Sequence, residues 1–394
     1  MKAVSISDLP IVPEEYGKEI YERIDWTVVD SEMTDGQRRF INGLIQYYCP
    51  ERVLELGVSA GGGTTVLLNA LKENENAELY SIDSASQFYR NPDLPVGYCA
   101  MEKYADLMNK KWHLLGGYDP AEIMEKLDEK FDFCVIDTYH HHPVEVLNFI
   151  SILPWLNDGA IVIMHDTTVF EWRLKETFLQ MLAPRLLLSA VCAEKYIPDL
   201  PSGNMTTSNI AAWQVSADTR KYCQGLFDIL YVPWETPILK GTCQSINELV
   251  KKHYPSKMSE YYADAVRVNA SMISVRQFGV FDCEEAYKTL REDTIFYGAG
   301  FQMRKLLTML DLVNLEFKFD IWDRNADKIQ KIEKHTVKTP ILEKTEKINQ
   351  TMIVMIESKE IFEEVREQFS SLGYILFHGL KEYFAFKSNE NKSI

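Results

Sequence analysis

Two groupings of histidine and aspartate carry the clearest chemistry in this 394-residue sequence: Ile136-Asp137-Thr138-Tyr139-His140 and His165-Asp166. Asp137 and Asp166 each follow an apolar run, Phe131 to Ile136 and Ala160 to Met164. Adjacent parallel strands would set both carboxylates over one edge of a sheet. Oxygen donors placed there can hold a divalent cation, and hard carboxylates suit Mg²⁺. His165 would complete a donor set of Asp137, His165 and Asp166, although an imidazole favours a transition ion over Mg²⁺. The imidazole of His140, which titrates near neutrality, can remove a proton from a hydroxyl, with Asp137 three residues before it as its catalytic partner. A bland alternative stays open, in which His140 and His165 only satisfy backbone groups. His141 and His142 read as the start of a helix that Pro143 opens as its first residue.

A second constellation lies upstream. Glu55-Leu56-Gly57-Val58-Ser59-Ala60-Gly61-Gly62-Gly63-Thr64 is a glycine-rich turn between an apolar run and a helical stretch. Such a turn lets backbone N–H groups approach a ligand that side chains would obstruct. The dinucleotide pattern would need glycine at 59, where the chain has Ser59, and no Lys or Arg occurs from Val53 through Leu71. With Glu55 at the strand end, the turn suits a ligand bearing a cationic amine, such as adenosylmethionine, better than a pyrophosphate. Asp83 ends the next run, where its carboxylate could accept from both ribose hydroxyls. The expected cofactor residues are therefore Glu55, Gly57, Ser59, Gly61, Gly62, Gly63 and Asp83. A tight turn and a solvated strand-end aspartate form the alternative.

Short β-rich runs at 52–56, 77–82, 111–115, 131–136 and 160–164 alternate with helical stretches at 65–72, 121–127 and 144–156. That succession predicts an α/β fold with a parallel sheet covered by helices. Thr34 to Tyr48 reads as an amphipathic helix with Phe40, Ile41, Leu44, Ile45 and Tyr48 on its apolar stripe. Helices are also expected at 171–182 and 218–230, and a strand at 208–216. The division that follows is an N-terminal helical cap over 1–47, a cofactor-binding domain over 48–235, a helical connector over 236–288 and a smaller βα domain over 289–386.

Composition narrows the functions. The net charge of −16, without a dense Lys/Arg run, argues against nucleic acid as a partner. No apolar run approaches the roughly 18 residues that span a bilayer, and no leader pattern follows Met1, so the expected location is cytoplasmic. The seven cysteines are scattered without CxxC spacing, which signals neither disulfides nor zinc.

Through Val53-Leu-Glu-Leu-Gly-Val-Ser-Ala-Gly-Gly-Gly-Thr and Tyr80-Ser-Ile-Asp, residues 34 to 235 resemble the class I S-adenosylmethionine-dependent methyltransferases. The segments Ile136-Asp137-Thr138-Tyr139-His140 and His165-Asp166 are similar to those of small-molecule O-methyltransferases related to macrocin and cephalosporin-pathway enzymes. The resemblance implies a Rossmann-like seven-stranded sheet with its site at the strand C-termini and residues 209 to 216 as the last edge strand. It implies adenosylmethionine as cofactor, a divalent ion orienting substrate oxygens, His140 as general base, and a small-molecule or carbohydrate hydroxyl as acceptor. A homo-oligomer is compatible with this.

Tyr297-Gly298-Ala299-Gly300-Phe301-Gln302-Met303-Arg304, with Asp323 following 25 residues after Gly298, resembles the nucleotide-binding half-domains attached to sugar-modifying enzymes. Met303 stands where the third fingerprint glycine belongs. Two rival functions follow from this second, Rossmann-like domain: a nicotinamide-dependent oxidoreductase or epimerase, and a non-catalytic nucleotide-sensing or assembly protein. Trp172, Trp213 and Trp234 are expected in the core or a cap.

Overall fold

The computed structural model describes residues 4–173, 180–278, 287, 290, 293–312, 315–316, 318–342 and 350–391. The chain forms two units, one comprising Met1–Glu235 with Gln244–Tyr262 and the other Thr236–Cys243 with Ala263–Ile394. The stretch expected as a connector is thus shared between them.

The strands of the first unit are β1 (Arg52–Leu56), β2 (Glu78–Asp83), β3 (Gln87–Phe88), β4 (Asn91–Pro95), β5 (Trp112–Gly116), β6 (Phe131–Ile136), β7 (Leu156–His165), β8 (Lys195–Tyr196) and β9 (Ile210–Gln214). Seven of them form one sheet in the order β5-β2-β1-β6-β7-β9-β8, with β9 antiparallel to both neighbours. Strands β5, β2, β1, β6 and β7 pair in parallel, and the central ones are buried on both faces, as in sheets covered by helices on both sides. Phe40, Leu44, Val53, Leu67, Leu79, Trp112, Phe133 and Ile161 meet in one buried cluster. Joining β1 to β2 is the helix Gly62–Leu71, whose burial on almost every side explains its lack of a polar face.

The N-terminal helix runs over Asp35–Tyr48 and keeps the expected stripe buried. Thr34 and Gln37 close a capping box at its start: Gln37 N–H donates to Thr34 Oγ1 at 3.4 Å and Thr34 N–H to Gln37 Oε1 at 2.8 Å.

Several expectations are corrected. Strand β9 is not at the edge; the two-residue β8 lies outside it and is too short to show any alternation in sequence. Pro143 is the N-cap of the helix Val144–Ile152 rather than its first residue. Trp213 and Trp234 are core residues, but Trp172 is 54% exposed. The helix expected over 171–182 is seen as Phe170–Arg173, with 174–179 outside the described residues, and a separate helix follows at Ala183–Ala190. The hairpin of β3 and β4 was not anticipated.

In the second unit, β10 (Ile295–Tyr297), β11 (Asp320–Trp322), β12 (Lys331–Ile332), β13 (His335–Lys338), β14 (Thr351–Val354) and β15 (Ile375–His378) form a sheet ordered β12-β13-β11-β10-β14-β15. All its pairings are parallel except β12 with β13. Ile295, Tyr297, Trp322, Met352, Val354, Phe362 and Phe369 pack together on one of its faces. Strands β12 and β13 carry too few apolar residues to be read from periodicity. No helix among the described residues is long and apolar enough to cross a membrane.

Candidate active site

The glycine turn joins the C-terminal end of β1 to the helix Gly62–Leu71, so the first N–H groups of that helix face the strand-end region. Gly57 has φ +87°, and a Cβ there would lie 1.8 Å from the carbonyl oxygen of Asp137. Only glycine lets the exits of β1 and β6 pass so closely, which brings the turn beside the Asp137 strand end. Gly61 adopts φ +99°, and Ser59 is left-handed as well. At Gly62 a Cβ would meet the backbone of Asp30 and the side chain of Ser31, so the N-terminal segment lies against the turn.

Asp83 organises the turn from β2. Its Oδ2 accepts from Val58 N–H at 2.9 Å and Ser59 N–H at 3.1 Å, and its Oδ1 accepts from Ala85 N–H at 2.9 Å. These bonds use most of the roughly four acceptor positions of a carboxylate.

Glu55 faces inward rather than toward the open edge. It is buried at 2% exposure, accepting from Thr64 Oγ1 at 2.8 Å and Ser81 Oγ at 2.6 Å. Burial pushes its carboxyl up to about 8, against the lowering effect of the two hydroxyls. Between pH 4.5 and 8 the folded protein thus keeps a proton that the unfolded chain has released, and stability falls as pH rises through that window. Glu55→Gln is expected to remove this slope while leaving the melting temperature near pH 5 little changed. Thermal melts of both proteins from pH 4.5 to 8 check it, and parallel curves would contradict the assignment.

The second cluster is built on the exits of β6 and β7, where Ile136 pairs with Met164. Asp137 follows β6, His165 ends β7, and Asp166 follows with φ +56°. His165 Nδ1 lies 3.2 Å from Asp137 Oδ2 and 3.6 Å from Asp166 Oδ1. His140, itself at φ +66°, points Nε2 back into the cluster, 3.0 Å from Asp166 Oδ2 and 3.8 Å from Asp137 Oδ1. All four residues named from the sequence therefore meet.

Three partners escaped sequence reading. Glu145, fully buried, lies 3.5 Å from His140 Nδ1 and accepts from Thr138 Oγ1 at 2.9 Å and from the His140 backbone N–H. Asn209 Nδ2 donates to Asp166 Oδ1 at 2.5 Å. Gln37 Oε1 sits 3.2 Å from His165 Nε2, so the N-terminal helix touches the site. Only Gln37 left a signal, as the fourth residue of a Thr-x-x-Gln capping box.

Charge dominates this cluster. Burial alone would lower the pKa of His140, but Glu145, Asp166 and Asp137 outweigh it and raise it to about 9. His165 is likewise raised to about 9 by Asp166 and Asp137 against its burial. Asp137 is half-buried, and against the desolvation this brings the two imidazoles hold its carboxyl below the usual range.

A metal could be held by Asp137, His140 and Asp166, whose ligand atoms all lie within 4.8 Å of one another. Two carboxylates and an imidazole fit a transition ion better than Mg²⁺. His165, expected as a ligand, is outside that group, although its Nδ1 has no hydrogen bond of its own.

Comparison with known proteins agrees with the local chemistry. Residues 54–167 match the family described as "Methyltransferase domain", and the chain therefore carries a methyltransferase domain over the stretch holding the glycine turn and both His/Asp groupings. A search of the curated proteins gives no match. Among solved structures, the chain is similar to an O-methyltransferase from Bacillus cereus in complex with SAH, at 18% identity over 53% of this chain and 95% of that one, with a TM-score of 0.37. Similar too are the O-methyltransferase TomG from Streptomyces achromogenes, involved in tomaymycin synthesis and in complex with SAM (16% identity, 54% and 94% covered, TM-score 0.37), and the SAH-bound methyltransferase PaMTH1 of Podospora anserina (13%, 52% and 88%, TM-score 0.35).

Proposed function

We propose that the first unit is an S-adenosylmethionine-dependent O-methyltransferase that methylates a hydroxyl of a small molecule, with His140 as general base. The observation that carries this reading is the position of His140 Nε2 at the junction of Asp137 and Asp166, with Nδ1 beside the buried Glu145. Nδ1 makes no hydrogen bond, but the buried Glu145 carboxylate 3.5 Å away favours a proton on it by charge, which leaves Nε2 to receive the hydroxyl proton.

The turn between Gly57 and Gly63 receives the adenosyl cofactor, with Asp83 fixing the turn's N–H groups and offering its remaining acceptor capacity to the ribose. Glu55 acts from below as a positioning residue, tying the turn's helix to β1 and β2 through Thr64 and Ser81. The acceptor oxygen loses its proton to His140 and attacks the methyl carbon in line. When bound, the cofactor would supply an electrophilic methyl group, its sulfur taking up the electron pair of the carbon–sulfur bond as the methyl passes to the acceptor oxygen; the His140 imidazolium returns its proton to water.

A divalent ion on Asp137, His140 and Asp166 would supply Lewis-acid polarisation of the acceptor oxygen when bound. In that state the Nε2 lone pair of His140 would be occupied, so the base and ligand roles exclude each other at that atom.

A sugar or glycan-precursor hydroxyl is the favoured acceptor. It rests on the resemblance of the Ile136 to His140 segment, and on two exposed rings close in sequence to the site, Tyr139 and Trp172. The chain carries out this chemistry in the cytoplasm.

With a pKa of about 9, roughly 1 in 100 His140 side chains is neutral at pH 7. In the metal-free enzyme kcat/KM should therefore rise about tenfold per pH unit from pH 7 and level off near pH 9. Methyl transfer from labelled cofactor to candidate glycan precursors, followed across pH 6 to 10, tests both acceptor and base. A flat profile would rule out His140 as the base.

A further inference from the structure

The second unit holds a cleft of about 690 Å³ that the methyl-transfer chemistry does not use. Its size falls within the range of small-molecule sites, roughly 300–1,000 Å³. Sheet order places it: β11 and β13 lie on one side of β10, and β14 and β15 on the other. The order of winding thus switches between β10 and β14, and open α/β sheets bind ligands outside the strand ends at such a switch point. The cleft is lined by Tyr297, Gly298 and Gly300 from the exit of β10 and by Met355, Ile356 and Glu357 from the exit of β14.

From this geometry we infer a second binding site, for a ribonucleoside carrying no more than one phosphate. Asp323, at the exit of β11, lines the cleft and accepts from Ala299 N–H and Asn325 N–H at 2.8 Å each. About two of its four acceptor positions remain for a ribose diol, more than Asp83 retains. Two large apolar side chains on the cleft wall, Phe301 and Leu342, are each 53% exposed and offer a surface to a planar base. Arg324 follows Asp323 on the same wall and has no ion pair among the described residues. Against it stand Asp323, Glu357 and Glu364, an excess of negative charge that disfavours di- and triphosphates.

This inference stands apart from the function of the first unit. The test is calorimetric titration of the full chain with AMP, CMP, GMP and UMP, in the presence of saturating adenosylhomocysteine. At least one monophosphate should bind saturably, and its 2′-deoxy form about tenfold more weakly. Asp323→Asn should weaken binding by a similar factor. Gly300→Leu is a second variant, at a position where a Cβ meets nothing within 4 Å; with a thermal melt like that of the wild type, it should block the cleft and abolish binding. Absence of binding by all four at millimolar concentration would overturn the proposal, as would affinity unchanged in both variants or equal for ribose and deoxyribose.

Discussion

Replacing His140 by alanine should lower kcat by about 10²–10⁴-fold, the contribution expected of a positioned general base. Affinity for adenosylhomocysteine should stay within about twofold, because the cofactor turn is built from β1 and β2 while His140 belongs to the exit of β6. The wild-type rise in kcat/KM between pH 7 and 9 should also disappear, an effect that simple loss of packing does not produce. Dialysis against EDTA separates the two roles open to the imidazole. Full activity without metal supports the base; activity lost on dialysis and restored by a transition ion would make His140 a ligand instead. Unchanged turnover in the alanine variant would remove it from the chemistry altogether.

Gly57→Ala should be the most damaging single-methyl change in the first unit. A Cβ 1.8 Å from the Asp137 carbonyl oxygen cannot be accommodated without moving β1 or β6, and φ +87° is a backbone state that alanine resists. Strain and overpacking together should cost about 2–5 kcal/mol. The motion required would open the distance between cofactor turn and acceptor site, so residual folded protein should lose methyl transfer out of proportion to its loss of adenosylhomocysteine binding. Denaturant melts and single-turnover rates measure the two effects. A variant of wild-type stability would show that the exits of β1 and β6 do not approach as described.

Much of the site was legible because its residues carry chemistry at strand ends. Asp83, Asp137, His165 and Asp166 each follow or close an apolar run, and a parallel sheet gathers such positions at one edge, while His140 was marked by the resemblance of its segment. Two of the residues that went unread act across the fold, and the third acts through a local bend. Glu145 reaches His140 from one helical turn downstream of a left-handed bend, Asn209 reaches Asp166 over 43 residues, and Gln37 reaches His165 over 128. No local pattern announces a partner at that separation. Glu55 was expected to face a cationic amine of the cofactor, yet its side chain is turned inward by Thr64 and Ser81, and strand periodicity fails where both faces are buried. Four of the six strands of the second sheet were expected from their βα signals, whereas β12 is too short and β13 too polar to register. Trp172 was misplaced for a related reason: a bulky aromatic is expected to be buried on average, and only its neighbours decide whether it is.

Calorimetric titration with adenosylhomocysteine of the wild-type chain and of Asp83→Ala and Asp323→Asn is the most direct trial of the cofactor assignment. One molecule should bind per chain, with affinity lost in Asp83→Ala and kept in Asp323→Asn. Binding that survives removal of Asp83, or vanishes with Asp323, would place the cofactor outside the first glycine turn and contradict the assignment.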